Sequence, residues 1–228
     1  VSNSAELNKK LEKLMADIAP AKETKEKLTH SQVINLGVDY AAGQPVKYTK
    51  AAERLKKADA RTKALLGYCK KGYKTTNIVK AHVMGATMYG ARVIGVRPDH
   101  LAKIRTLIRS TTTSTVNGSS ATTVLALQKT PYLDPAYKAI ELPVLEWAKR
   151  VNFAHYQKDD REKAKYRDAW DAHRTRMLFA KDPWKLVSGP ATAVMATLLS
   201  INWKPRTYYS WEADDGTAVN LFDDIPYL

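Results

Sequence analysis

Ten lysine and arginine side chains fall between residues 47 and 74 against two acids, a surplus of eight in a chain whose net charge is +14. Cations at that density suit one chemistry, the neutralising of a polyanion, because each one that meets a phosphate releases a condensed counterion. Ala51, Leu55, Ala58, Thr62, Leu65 and Cys69 recur at intervals of four and three, which places them on one narrow stripe at ~100° per residue. Lys50, Arg54, Lys57 and Arg61 run along one flank of that stripe and Lys56, Lys63 and Lys70 along the other, with Lys71 and Lys74 just beyond. The spacing predicts a helix anchored by its middle and carrying a basic rail on either side. Rails of this kind hold a backbone and carry no base sequence. If about six of these side chains meet phosphates, affinity should fall roughly as the fifth power of salt concentration. Tyr68 and Tyr73, near the end of the rail, are open to two roles: stacking on bases or the commoner packing at a helix end.

Other residues that could do chemistry have plainer readings. Asp214-Asp215 would suit two magnesium ions in a polymerase hairpin, but the glycine that follows makes a turn the better account. Asp159-Asp160 falls at a helix start, where acids complement the dipole, and Asp223-Asp224 belongs to an acidic tail. His30, His82, His100, His155 and His173 show no i, i+4 pairing and no acids at metal-ligand spacing, so packing or surface roles are expected. The single cysteine, Cys69, excludes an internal disulfide and a cysteine-rich zinc site, and its place on the stripe predicts a buried, inert thiol. No Gly-rich phosphate loop, nucleophile elbow or zinc signature is present. The expectation is a protein without catalytic residues, metal or cofactor. No apolar run approaches the ~20 residues that cross a bilayer, so no membrane partner is expected. With a pI near 9.7, nucleic acid is favoured over an anionic membrane surface, because no helix pairs its basic face with a large aromatic one.

The elements that must position the rails follow from periodicity and punctuation. At 228 residues the chain suits one large domain or two small ones. Residues 3–19 read as a short amphipathic helix with Leu7, Leu11, Leu14 and Ile18 inward. Residues 28–40 read as strand, tight turn at Gly37, strand. Gly72 and Tyr73 end the basic helix. The next helix carries the stripe Val79, Val83, Ala86, Gly90 and Val93. Gly85 and Gly90 cost it about 1 kcal/mol each relative to Ala, and close approach of a neighbour is the expected return. Pro98 opens a third helix with Leu101, Ile104, Leu107 and Ile108 inward. After the Ser/Thr-rich stretch 110–123 come a short helical piece, 124–129, and three longer helices. One is capped by Asp134 with the stripe Tyr137, Ile140, Val144, Trp147 and Val151; one spans 159–181; one starts at Pro190. A hairpin over 206–222 turns at Asp214-Asp215-Gly216. The expected fold is mainly α with minor β pieces near 28–42 and 206–222. Residues 1–110 form one lobe, 111–123 a linker and 124–228 a second helical lobe.

Asn35-Leu36-Gly37-Val38-Asp39, followed by Met88-Tyr89-Gly90-Ala91-Arg92-Val93, resembles the region just after the palm in reverse transcriptases of non-LTR retroelements of the dinoflagellate type. The helix containing Trp147-Ala148 and the terminal Trp211-x-x-Asp-Asp-Gly hairpin are similar to that family's post-thumb region. The resemblance implies that Leu36, Gly37 and Val38 form a primer-grip-like turn, and that the basic helix and its two successors form a thumb around a template–primer duplex. It places the aromatic-x-Asp-Asp catalytic hairpin upstream of Val1, and Glu212 stands where that motif has its aromatic. The expected function is therefore non-catalytic binding of RNA, or of an RNA–DNA duplex, through backbone phosphates. Two alternatives stand beside it. One is a structural subunit of a large ribonucleoprotein such as an organellar ribosome, with protein neighbours. The other is an excerpt of an active RNA-directed DNA polymerase whose catalytic part lies upstream. The nucleus and the mitochondrion are the compartments these settings imply.

Overall fold

In the computed structural model, which describes residues 32–35, 38–41, 44–112, 120–127 and 131–223, the described residues open on a two-stranded antiparallel pair. β1 (Gln32–Asn35) pairs with β2 (Val38–Ala41), and Asn35 lies opposite Val38. These are the two strands expected on either side of Gly37. Leu36 and Gly37 themselves, and the helix expected at 3–19, lie outside the described residues.

The basic segment folds into one long helix, α1 (Thr49–Lys70). Ala58 and Thr62 are buried, while Ala51, Leu55, Leu65 and Cys69 are half-buried, so the four-three stripe is the inward face. The Cys69 thiol is less enclosed than expected, because the stripe reaches the solvent edge in the last turn. At the other end Tyr48 sits at φ 56 and offers no side-chain cap. Asp39 of β2, 1 % exposed, accepts a hydrogen bond from the Lys50 amide at 2.9 Å instead. A carboxylate at this place satisfies one of the amide groups every helix leaves unpaired at its start.

The single helix expected after the basic one is broken. Its first part, α2, runs through Thr76–Ile78, a π-helical turn Val79–Met84 and Gly85–Thr87. Hydrogen bonds to the fifth residue bring residues five apart onto one face, so Val79, Val83 and Met84 are all buried. The chain then turns at Gly90, whose φ of 87 lies in the left-handed region, before α3 (Ala91–Ile94). A Cβ at Gly90 would lie 3.1 Å from Val38 Cγ2. Close approach is real at Gly90 and absent at Gly85, where the nearest atom is the Lys80 carbonyl oxygen at 3.9 Å.

α4 (Pro98–Thr112) buries Ile104 and Ile108 and packs alongside α1. After α5 (Ala121–Ala126) comes α6 (Pro135–Tyr156), which continues through Pro143. Asp134 caps α6 by accepting from the Ala136 amide at 2.9 Å, and Arg105 of α4 grips the same carboxylate at 3.0 and 2.7 Å. The buried face of α6 is centred on Ala139, Pro143, Trp147 and Val151, and Tyr137, expected inward, is 58 % exposed. Helices meet most closely where residues are small, and a stripe chosen by large apolar residues is rotated away from that line.

α7 (Asp160–Leu178) is capped by Asp159 and buries Trp170 and Met177. α8 (Pro190–Ser200) is enclosed on all sides, with every residue from Ala191 to Leu198 buried. The chain ends in an antiparallel sheet of β3 (Lys204–Pro205), β4 (Ser210–Glu212) and β5 (Ala218–Asn220), one strand more than the expected hairpin. The fold is mainly helical with minor β pieces.

Two apolar cores hold these elements. The first gathers Ala58, Val83, Ile104 and Ile108 with Leu125 and Leu133. The second stacks Trp147, Trp170 and Trp211 against α8 and also takes in Val38, Val46, Tyr48 and Ile94. Each core thus draws on residues from both sides of the Ser/Thr-rich stretch.

Candidate nucleic-acid interface

α1 is one flank of a surface whose two rails face different neighbours. On the α2 side, most of the cations have partners inside the protein. Arg54 is half-buried, donates to the Tyr89 carbonyl at 2.9 Å, and lies 5.1 Å over the Tyr89 ring. Burial lowers its pKa from the usual arginine value. Arg61 reaches the His82 carbonyl at 3.4 Å. Lys50 pairs with Glu53 at 2.8 Å, and this hydrogen bond holds the Glu53 carboxyl below its ordinary range. On this flank Lys57 is exposed and makes no ion pair among the described residues.

The α4 side is more open. Lys56, Lys63 and Lys70 follow one another at intervals of seven, and all three are exposed. Lys63 meets Asp59 at 2.8 Å, a solvated pair within one helix worth only a few tenths of a kcal/mol (about 0.3–0.5). Lys56 and Asp59 line a groove of about 440 Å³ between α1 and α4, with His100, Lys103 and Thr106 on its far wall. Lys71 and Lys74 are exposed just past the end of the helix. Both acids of the 47–74 segment, Glu53 and Asp59, are therefore engaged by lysines of the same helix. Lys47, Lys56, Lys57, Lys70, Lys71 and Lys74 are left exposed and make no ion pair among the described residues.

The stretch of chain that runs on from the middle of α1 carries one sign of charge. From residue 60 to residue 98 the chain holds eight Lys and Arg and no Asp or Glu. Of the expected primer-grip-like turn, Val38 is described; it is 5 % exposed and packs in the second core against Gly90. It supports the basic helix and is not on its surface.

A larger cavity, about 580 Å³, opens between Tyr40, α6, α7 and the first turn of α8. Each of its cations already has a carboxylate partner. Arg92 and Arg150 both hold Glu146, and Lys165 pairs with Glu162. Burial raises the Glu146 pKa, but the hydrogen bonds from Arg150 and Arg92 outweigh it and the net shift is downward. Cations already held by carboxylates offer a polyanion little compared with the lysines of α1.

Asp214, Asp215 and Gly216 form the turn between β4 and β5, with the Asp215 carboxylate accepting from the Thr217 amide at 2.9 Å. No group of three or more His, Cys, Asp or Glu among the described residues is placed to hold a metal ion. No helix among them is long and apolar enough to cross a membrane. Comparison with protein-family models, with curated proteins and with solved structures finds no match for the chain.

Proposed function

We propose that this protein binds RNA, or an RNA-containing duplex, through its phosphate backbone and without catalysis, using the lysines of α1 and of the segments at its two ends. The observation that carries the reading is the set of six exposed lysines, Lys47, Lys56, Lys57, Lys70, Lys71 and Lys74, with no ion pair among the described residues. Exposed ammonium groups meeting phosphates each gain only about 1 kcal/mol in water at 4 Å, so several must act together. Counterion release then makes the sum strongly salt-dependent.

The division of labour between arginine and lysine supports a backbone reader. Arginine's planar fork is the group that reads guanine edges bidentately, and on α1 both arginines, Arg54 and Arg61, face carbonyls of the same protein. What remains for a ligand is lysine, a compact point charge suited to phosphate. The resemblance to a reverse transcriptase thumb adds a duplex-holding ancestry to the same helix.

Fluorescence anisotropy with labelled RNA across a salt series tests the reading. Replacing Lys56, Lys57 and Lys70 together by Gln is expected to lower the slope of log affinity against log salt by about 2–3, near 0.7–0.9 for each phosphate that is no longer neutralised. Unchanged affinity and slope in the triple variant would remove α1 from the interface.

A further inference from the structure

α1 ends in a Schellman cap. The Tyr73 amide donates to the Tyr68 carbonyl at 3.2 Å and the Gly72 amide to the Cys69 carbonyl at 3.0 Å, with Gly72 in the left-handed region at φ 82. This motif brings the residue after the glycine against the residue that begins the last turn. Here both are tyrosines, and their rings meet edge to face with centroids 6.2 Å apart at 65°. Packing at the helix end is the commoner of the two roles open to Tyr68 and Tyr73, and the rings do pack on one another. Tyr68 remains 59 % exposed and Tyr73 63 %.

That leaves on the order of 100 Å² of each ring facing water, in a fixed geometry, with Lys70, Lys71 and Lys74 interleaved along the same turn. The end of α1 carries about half a negative charge from its dipole, which three ammonium groups outweigh. Other exposed tyrosines are differently placed: Tyr89 lies beneath Arg54, and Tyr132 lies 5.8 Å from the Lys138 ammonium. An unpaired base presents both faces to such a ring, whereas bases inside a duplex are already covered by their neighbours.

Resting on the phosphate-binding reading, we infer that the Tyr68–Tyr73 pair is a stacking platform for unpaired nucleotides, so that the ligand is single-stranded RNA or a strand leaving a duplex. The lysines of the α1 end hold its phosphates while the rings take one or two bases.

Binding of the full chain to a labelled oligouridine of about 12 nucleotides, to a blunt RNA duplex of the same length, and to heparin tests this. Tyr68→Ala and Tyr73→Ala are each expected to weaken oligouridine binding by about tenfold. They should leave its salt slope unchanged, because no charge is removed, and leave duplex and heparin binding unchanged. Tyr68→Phe and Tyr73→Phe keep the ring and should keep the affinity. Tyr137→Ala, which removes an exposed ring from α6, should have no effect. Two results overturn the inference alone: salt-dependent RNA binding that ignores the tyrosines, or parallel loss of oligouridine and heparin, which would make the rings a mere support for the lysines. Failure of the unaltered chain to bind either RNA or heparin overturns the phosphate reading with it.

Discussion

The Asp39 carboxylate holds the backbone amide of Lys50 at 2.9 Å, so the basic helix is capped by a strand eleven residues upstream. Helix and strand pair are thereby fixed to one another at the point where α1 enters the fold. Val38, the neighbour of Asp39, fills the space beside Gly90, so the same strand also sets the turn that follows α2. The strand pair acts on the candidate interface by orienting α1.

Replacing Asp39 by Ala should destabilise the protein by about 1–2 kcal/mol, the usual cost of a lost helix cap. Asp39→Asn keeps an acceptor and should cost less. Urea unfolding measures both, and equal midpoints for Asp39→Ala and the unaltered chain would show that the cap contributes nothing.

Gly90→Ala meets two obstacles, the left-handed backbone at φ 87 and Val38 Cγ2 at 3.1 Å. The backbone part alone should cost about 1–2 kcal/mol. In a Val38→Ala background the steric part should vanish and the backbone part remain, giving a coupling of at least about 0.5 kcal/mol in a double-mutant cycle. Strict additivity would mean that the two residues do not compete for space.

Arg54 and Lys57 lie three residues apart and should fail in opposite ways. Arg54→Gln removes the group that donates to the Tyr89 carbonyl and covers its ring, so the melting temperature should drop while the salt slope of RNA binding stays the same. Lys57→Gln should reduce that slope by about 0.7–0.9 and change stability by no more than about 0.5 kcal/mol. A shared phenotype would refute this separation of brace from contact.

Burial holds the His100 imidazole below its ordinary value of 6.5, with Asp99 opposing that shift, and the ring lies edge-on to Tyr48 at 6.1 Å. Below about pH 6.5 the unfolded chain takes up the proton first, so this contribution to stability is complete above that pH and is lost as pH falls toward the folded value. His100→Gln, which cannot charge, should flatten the decline in melting temperature as pH falls below about 6.5. An identical decline in both proteins would assign the acid sensitivity to other groups.

Where an element is carried by local pattern, the sequence was enough. The stripe of α1, the Asp159 and Asp134 caps, the Asp-Asp-Gly turn and the Pro98 start all stand where periodicity and cap chemistry put them. What failed depended on partners distant in the chain. The break at Gly90 answers to Val38, fifty-two positions earlier, and the exposure of Tyr137 answers to how closely α6 meets its neighbours at Ala139 and Pro143. The two rails looked equivalent on a helical wheel. They differ because one faces the carbonyls of His82 and Tyr89, a distinction no spacing within α1 can carry.

The shared cores make the grip inseparable from its surroundings. Leu125 and Leu133 close the core beneath α1, while Val46 and Tyr48 complete the tryptophan core on the far side of the chain, where the Val46 amide also bonds the Val187 carbonyl at 2.8 Å. A fragment ending with α4 would keep every lysine of the interface yet expose the apolar side chains beneath it. The basic helix is thus no portable module: excised, it would carry its charge without the side chains that pack beneath it.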